Sequence, residues 1–335
     1  MPTLLGGCAN YYDGPESDHF DGERFFNPGA PLNHGFGDFL RWRFTAEQGP
    51  WPDRVENTAH DIPPERVPGA ELRVTMINHV TLLIQTGGVN ILTDPTWAER
   101  ASPVSWAGPR RVRPPGLAIE ELPPIDVVLV SHNHYDHMNL PTLQTLWQRD
   151  RPRILLPLGN DAIVREFDER IRCEPMDWGD RTKVGNDMEI ALAPLKHWSA
   201  RGLFDRNRAL WGAFVVLTDQ GNVYFAGDTG YGDGENYRLA AREYGPFRLA
   251  LLPIGAYEPR WFMGAVHMNP EEALRAHRDL GARRSIGIHF GTFPLADDGY
   301  EQPLRDLADA RRRLGVAEDE FRTLENGRAW IVPAD

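Results

Sequence analysis

The chain has 335 residues, 41% of them hydrophobic and 25% charged, the balance of a globular protein long enough to bury a large core in one domain or two modest ones. A formal net charge of −12 argues against a face built to neutralise a phosphate backbone, so nucleic acid is not an expected partner. No apolar run reaches the roughly 18 residues that a spanning helix needs, which leaves peripheral contact as the expected form of any membrane association.

Residues 1–69 are rich in Gly, Pro, Asn and Asp and lack sustained periodicity, so they are expected to form an arm wrapped on a body that runs from 70 to 335. Within the arm, residues 1–24 read either as a flexible tail or as the remnant of a lipoprotein signal. Leu5-Gly6-Gly7-Cys8 has the form of a lipidation site but lacks the basic and apolar stretches that precede one. The expected location is the cytoplasm, or a membrane if Cys8 is lipidated. Cys173 stands far from Cys8, so neither a disulfide framework nor a thiolate metal site is expected. Phe39 to Phe44 reads as one short amphipathic helix.

From Leu72 the texture changes to short, apolar, often β-branched runs. Strands are predicted over Leu72 to Ile77, Val80 to Gln85, Val89 to Thr93, Val127 to Ser131, Ile154 to Pro157, Ile190 to Pro194, Ala213 to Thr218, Val223 to Ala226, Leu249 to Pro253 and Ser285 to Ile288. Helices interleave with the later strands at Leu140 to Trp147, Asn160 to Phe167, Tyr237 to Tyr244, Pro270 to Leu280 and Pro303 to Leu314. Pro270-Glu271-Glu272 suits a helix start, since proline fits the first turn and carboxylates favour the positive end. This alternation predicts a layered α/β protein with sheets inside and helices outside.

Ser131-His132-Asn133-His134-Tyr135-Asp136-His137 follows directly on the apolar run that ends at Val130, so a buried strand delivers a polar cluster to a sheet edge. His132 and His134 are two apart, and an extended backbone points both to one side. Asp136 and His137 follow after a short turn. Three further apolar runs each end in a single donor: His197, Asp228 and His289. A lone His or Asp at a strand end is more often a cap or turn residue, but beside the histidine cluster the metal reading prevails. Three histidines and a shared carboxylate around one ion, with two histidines, an aspartate and the same carboxylate around another, leave open positions for water. Two such ions lower the pKa of water and clamp developing negative charge, so the expected chemistry is hydrolysis.

This ligand pattern resembles the metallo-β-lactamase superfamily, which implies an αββα sandwich with its metals on loops at one edge. Longer strings resemble the phospholipase D family that hydrolyses N-acylphosphatidylethanolamine. They include Leu92-Thr93-Asp94-Pro95, Leu210-Trp211-Gly212, Phe225 to Tyr231, Pro253 to Met263 and Ile288 to Phe293, and the likeness runs from about residue 25 to the C-terminus. The resemblance implies two zinc ions: His132, His134 and His197 on one, Asp136, His137 and His289 on the other, Asp228 between them. It implies catalytic roles for Asp136 and His267, with His267 near the substrate phosphate, and release of N-acylethanolamine and phosphatidic acid. From the residues alone His267 is equally a helix cap. Asp94 and His79 match family positions and are expected to orient the ligands.

Arg201, Tyr257 and Trp261 complete the expected substrate-binding residues, with Trp261-Phe262-Met263 either a lipid groove or part of the core. Two positions depart from the family: Val266 stands where a glutamine is expected and Ala200 where a lysine is. The expected partners are a phospholipid or another small phosphodiester or ester, with a homodimer as an option. The alternatives are a lactonase or phosphodiesterase for a small soluble substrate and, in a different class, a non-catalytic or redox metal-binding protein.

Overall fold

A computed structural model describes residues 11–29, 35–185 and 187–334. Cys8 and the proposed lipidation site lie outside the described residues. Two seven-stranded sheets form the centre. The first is built from β1 (Leu72–Asn78), β2 (Thr81–Thr86), β3 (Val89–Thr93), β4 (Val127–Leu129), β5 (Arg153–Pro157), β6 (Cys173–Met176) and, from the far end of the chain, β14 (Ala329–Val332). Its order is β14-β1-β2-β3-β4-β5-β6. The second holds β7 (Arg181–Val184), β8 (Met188–Ala193), β9 (Ala213–Thr218), β10 (Asn222–Phe225), β11 (Phe247–Pro253), β12 (Arg284–Ile288) and β13 (Phe321–Thr323), in the order β13-β12-β11-β10-β9-β8-β7.

The period of two along a strand sorts side chains between two cores. On β2, Leu82 and Ile84 enter the core between the sheets, together with Ile190, Leu192, Phe214, Val216 and Phe225 from the second sheet. Leu83, one residue out of phase, turns to the opposite face with Leu92, Val128 and Val130. There α2 (Leu140–Asp150) and α3 (Asn160–Phe167) cover it with Leu143, Leu146, Ile163 and Val164. Each such side chain contributes about 2 kcal/mol on burial, which is why both faces of the central strands read as continuous apolar runs. The second sheet is covered by α4 (Glu235–Tyr244), α6 (Pro270–Leu280) and α7 (Gln302–Leu314), with α6 packed on β11 and β12. The protein is thus an αββα sandwich.

The predicted helix after Asn269 has the expected start, and Asn269 caps it by accepting from the Glu272 amide at 2.9 Å while the Glu272 carboxylate accepts from the Asn269 amide. Sequence reasoning missed the outer strands β6, β7, β13 and β14 and the one-turn helix α5 (Arg260–Met263). β6, β7 and β13 have half-exposed patterns and no apolar run, and β14 is a four-residue apolar run that is itself only partly buried. Before the sheets, the amphipathic run at 39–44 sits in helix α1 (Phe36–Thr45), whose Trp42 stacks on Phe262 of α5 at 5.2 Å. Residues 49–61 cross the body, with Gly49 donating to the Asp297 carbonyl, Val55 to that of Val112 and Asp61 to that of Gly327.

Candidate metal centre

The strands β4, β8, β10 and β12 all run the same way within their sheets, so their C-terminal ends meet at one edge. After β4 the chain turns at once: the amides of His137 and Met138 both donate to the His134 carbonyl, which bends Asp136 and His137 back toward His132. His132 Nε2 and His134 Nδ1 lie 2.8 Å apart, and His197 Nε2, on the connection after β8, lies 3.4 Å from the same His134 Nδ1. Beside this set, Asp136 Oδ2 and Asp228 Oδ2 face two further imidazoles. His137 Nε2 is 3.3 and 3.1 Å from them, and His289 Nε2 is 3.3 and 3.0 Å. The seven residues expected from the sequence to be ligands are therefore brought together, all buried except the half-buried His134: His132, His134 and His197 in one group, Asp136, His137 and His289 in a second, with Asp228 against His137 and His289.

The outward hydrogen bonds show which nitrogens face inward bare. Asp94 accepts from the Ser131 hydroxyl at 2.6 Å and from His137 Nδ1–H at 2.6 Å. Because the Ser131 proton is committed to Asp94, its oxygen accepts from His132 Nδ1–H at 3.0 Å. His197 Nδ1–H donates to the Val266 carbonyl at 3.1 Å. Each of these rings has its proton turned out and a lone pair at Nε2 turned in, the tautomer a metal ligand needs. His137 Nε2 and Asp228 Oδ1 are buried without an aligned hydrogen-bond partner, which in a protein interior calls for an ion or a donor to meet them. The donor set therefore fits a metal.

Electrostatics agree. Burial, aided by the neighbouring imidazoles, holds the pKa of His132 well below its ordinary value, and burial does the same to His197. His134 is pushed down to about 4 by burial. These three remain neutral and offer lone pairs. At His137 and His289 burial is the largest single influence and opposes charge, yet Asp228 and Asp136 outweigh it, raising His137 well above the usual range and His289 to about 9. The position between the two carboxylates favours a cation. Backbone strain gathers here too, as His79 (φ 46°), Asp94 (φ 31°) and His289 (φ 60°) all sit in the left-handed region. Gly227 (φ 60°) lets β10 pass close to Ser131, since a Cβ there would lie 2.4 Å from the Ser131 hydroxyl.

Among the remaining expected residues, His79 donates through Nε2 to Asp136 Oδ2 at 3.0 Å, and its carbonyl accepts from the His289 amide at 2.9 Å. His267 lies with Nδ1 3.8 Å from Asp228 Oδ2, buried and pushed down to about 4 by burial. The helix it precedes is capped by Asn269, so capping does not explain His267. Arg201 is close to the cluster but turned to protein: its guanidinium donates to the Asn133 and Met138 carbonyls at 2.8 and 2.9 Å. The Tyr257 hydroxyl points away from the cluster and donates to Asp306 at 2.5 Å in a cavity of about 520 Å³ beside α7. Trp261 is 40% exposed on α5, with the Arg41 guanidinium 4.6 Å over its ring. Sequence reasoning passed over Ser131 as a support, although it opens the motif. It also passed over Asn27, which donates to the His197 carbonyl at 2.8 Å and has no local signal.

A family model described as a beta-lactamase superfamily domain matches residues 89–290. Among solved structures, a metallo hydrolase of the archaeon Ignicoccus hospitalis superposes with a TM-score of 0.56 at 23% identity, covering 78% of this chain and 97% of that one. Fold and site define a metal-dependent hydrolase of the metallo-β-lactamase superfamily. An N-acyl-phosphatidylethanolamine-hydrolyzing phospholipase D of Caenorhabditis elegans is 39% identical over 274 residues, covering 77% of this chain and 75% of that protein. The mitochondrial enzyme of the same description from Saccharomyces cerevisiae is 36% identical over 228 residues, covering 66% of this chain and 47% of that protein. Within the superfamily the chain belongs to the family of N-acylphosphatidylethanolamine-hydrolysing phospholipase D proteins.

Proposed function

We propose that the body from residue 70 onward, wrapped by the arm 1–69, is a two-zinc phosphodiesterase of phospholipase D type acting on N-acylphosphatidylethanolamine. The observation that carries the reading is the pair of adjoining donor sets, His132, His134 and His197 in one and Asp136, His137 and His289 in the other, with Asp228 against His137 and His289. His132, His134 and His197 would hold one ion and Asp136, His137 and His289 the other, with Asp228 shared between them. When bound, two such ions supply a water of lowered pKa and positive charge for the phosphoryl oxygens.

The chain's own groups do the rest. Water adds to phosphorus, the bond from phosphorus to the ethanolamine oxygen breaks, and that oxygen takes up a proton, giving phosphatidic acid and N-acylethanolamine. Asp136 accepts the proton of the attacking water, steadied by the Nε2–H of His79. His267 presents a neutral imidazole whose Nδ1 has no hydrogen-bond partner, suited to donate to a phosphoryl oxygen.

The apolar surface next to this site supports a lipid substrate. Phe39, Leu40 and Phe44 of α1 and Trp261 of α5 are exposed by 41%, 39%, 86% and 40%, on two helices packed together, and α5 leads directly to His267. Such a surface suits peripheral contact with a membrane. No helix among the described residues is long and apolar enough to cross one.

The test is a substrate panel on zinc-loaded protein: an N-acylphosphatidylethanolamine in mixed micelles, a soluble phosphodiester and a lactone. The expected result is phosphatidic acid and N-acylethanolamine from the lipid, with two zinc ions per chain by elemental analysis. Turnover of the lactone with the lipid untouched would reject the substrate.

A further inference from the structure

Between β8 and β9, residues 194–212 carry His197 on a connection without helix or strand. Ordering backbone of this kind costs about 1 to 2 kcal/mol per residue, so a ligand held on it needs support from elsewhere. Beyond the bond from His197 Nδ1–H to the Val266 carbonyl, two polar contacts supply that support. The Asn27 side chain, 8% exposed, donates through Nδ2 to the His197 carbonyl at 2.8 Å. Beside it the Phe25 amide donates to the Asn207 carbonyl at 2.7 Å, and the Asn207 amide donates to that of Ser199 at 2.7 Å.

The second contact is Arg201. Its guanidinium joins the two ligand-bearing segments by donating to the Asn133 and Met138 carbonyls, and it lies 4.0 Å over the Tyr135 ring. The Tyr135 hydroxyl returns a hydrogen bond to the Arg201 carbonyl at 2.8 Å. The Asp205 carboxylate accepts from the Arg201 and Gly202 amides at 3.0 and 2.8 Å, fixing the turn from which Arg201 reaches across. His134, Asp136 and His137 lie between the two carbonyls so gripped, His132 stands one residue before them, and His197 is in the segment that grips them. Asp136, His137 and His289 have further supports, Asp94 at His137 and His79 at Asp136 and His289, and Asp94 also reaches His132 through Ser131.

We propose that Asn27 is a positioning residue that fixes His197 against His132 and His134, and so sets the affinity of the three-histidine site for its ion but not that of its neighbour, whereas Arg201 ties the segment of His197 to the loop that carries donors of both sites. The inference rests on the ligand assignment proposed above. It makes the segment 11–29 part of the scaffold of the metal centre.

The test is titration of chelator-stripped protein with cobalt(II), followed by visible absorption. The unaltered chain is expected to bind two ions in two resolved steps, and His197→Ala identifies the step that belongs to the three histidines. In Asn27→Asp, which keeps the size and loses the donor, that step should weaken by about ten-fold or more while the other stays in place. Arg201→Lys, which loosens the loop carrying donors of both sites, should weaken both steps, and Asn27→Ala, which removes the donor without adding a charge, decides the matter if Asn27→Asp does not fold. An unchanged affinity of that step in the Asn27 variants, or both steps weakened equally in them with a fall in Tm, would overturn the positioning role. An unaltered chain that takes up no cobalt would instead overturn the ligand assignment beneath it.

Discussion

The two sheets supply the metal centre in opposite ways. From the first, one loop after β4 delivers His132, His134, Asp136 and His137; from the second, β8, β10 and β12 each lead to one residue, His197, Asp228 and His289. In the loop the donors share supports, since Asp94 holds His137 directly and His132 through Ser131. In the second sheet each donor has its own: the Val266 carbonyl for His197 and the His79 carbonyl for His289. A dense loop concentrates its geometry in few supports and is lost as a unit. Donors spread over strand ends depend on the register of the sheet and are lost one at a time.

The largest effect is expected where the two contributions meet. Asp228→Ala should lower turnover by roughly 10³-fold and reduce bound metal, because it removes a carboxylate that contacts His137 and His289 and acts electrostatically on His132 and His197. Wild-type turnover with full metal content would show that the two sets work independently.

A change in stability tests the scaffold of the second sheet. His277 on α6, buried and bonded to Ser285 of β12 at 2.8 Å, is pushed down to about 4 by burial, with Arg278 and Arg284 adding to it. Its folded value lies below the ordinary 6.5, so its contribution is fully present above pH 6.5 and is lost as the pH falls from there to about 4. The difference is worth roughly 3 kcal/mol. In His277→Gln, stability by chemical denaturation should fall less steeply across this window than in the parent. Identical slopes would remove His277 from the acid response.

Shared support predicts shared loss. Asp94→Asn should weaken binding of both ions by roughly 10- to 100-fold, because it disturbs His132 and His137 together. Loss of only one ion in a metal titration would contradict the idea that the loop acts as a unit. The smallest effect is expected at the rim: Trp261→Ala should lower turnover of lipid in vesicles by a few-fold and leave a soluble phosphodiester unaffected. Equal losses on both substrates would place Trp261 in the scaffold of α5 rather than in lipid contact.

Much of this was legible in the sequence because the forces involved are local. The ten predicted strands are those whose faces are buried, so their apolar runs announce them. The histidine cluster announced itself by density and by its place after a buried run. The outer strands were not legible, since Glu174 and Pro175 of β6, or Arg181 and Lys183 of β7, carry no periodic apolar signal and become strands only by pairing with a formed neighbour. Asn27 was not legible either, as nothing in an isolated asparagine reports a carbonyl 170 residues away.

The sequence by itself determined the family, the class of fold and the set of donors able to hold metal, because these depend on residue types at spacings that a strand or turn imposes. Only the tertiary structure decided where the nearby polar groups point. It turned Arg201 to two carbonyls and Tyr257 to Asp306, and it left His267 facing the donor cluster with an unpartnered nitrogen. The physical reason is that a buried hydrogen-bonding group must be satisfied by whatever partner the packed chain brings to it, and that partner is fixed by the fold and not by neighbours in sequence.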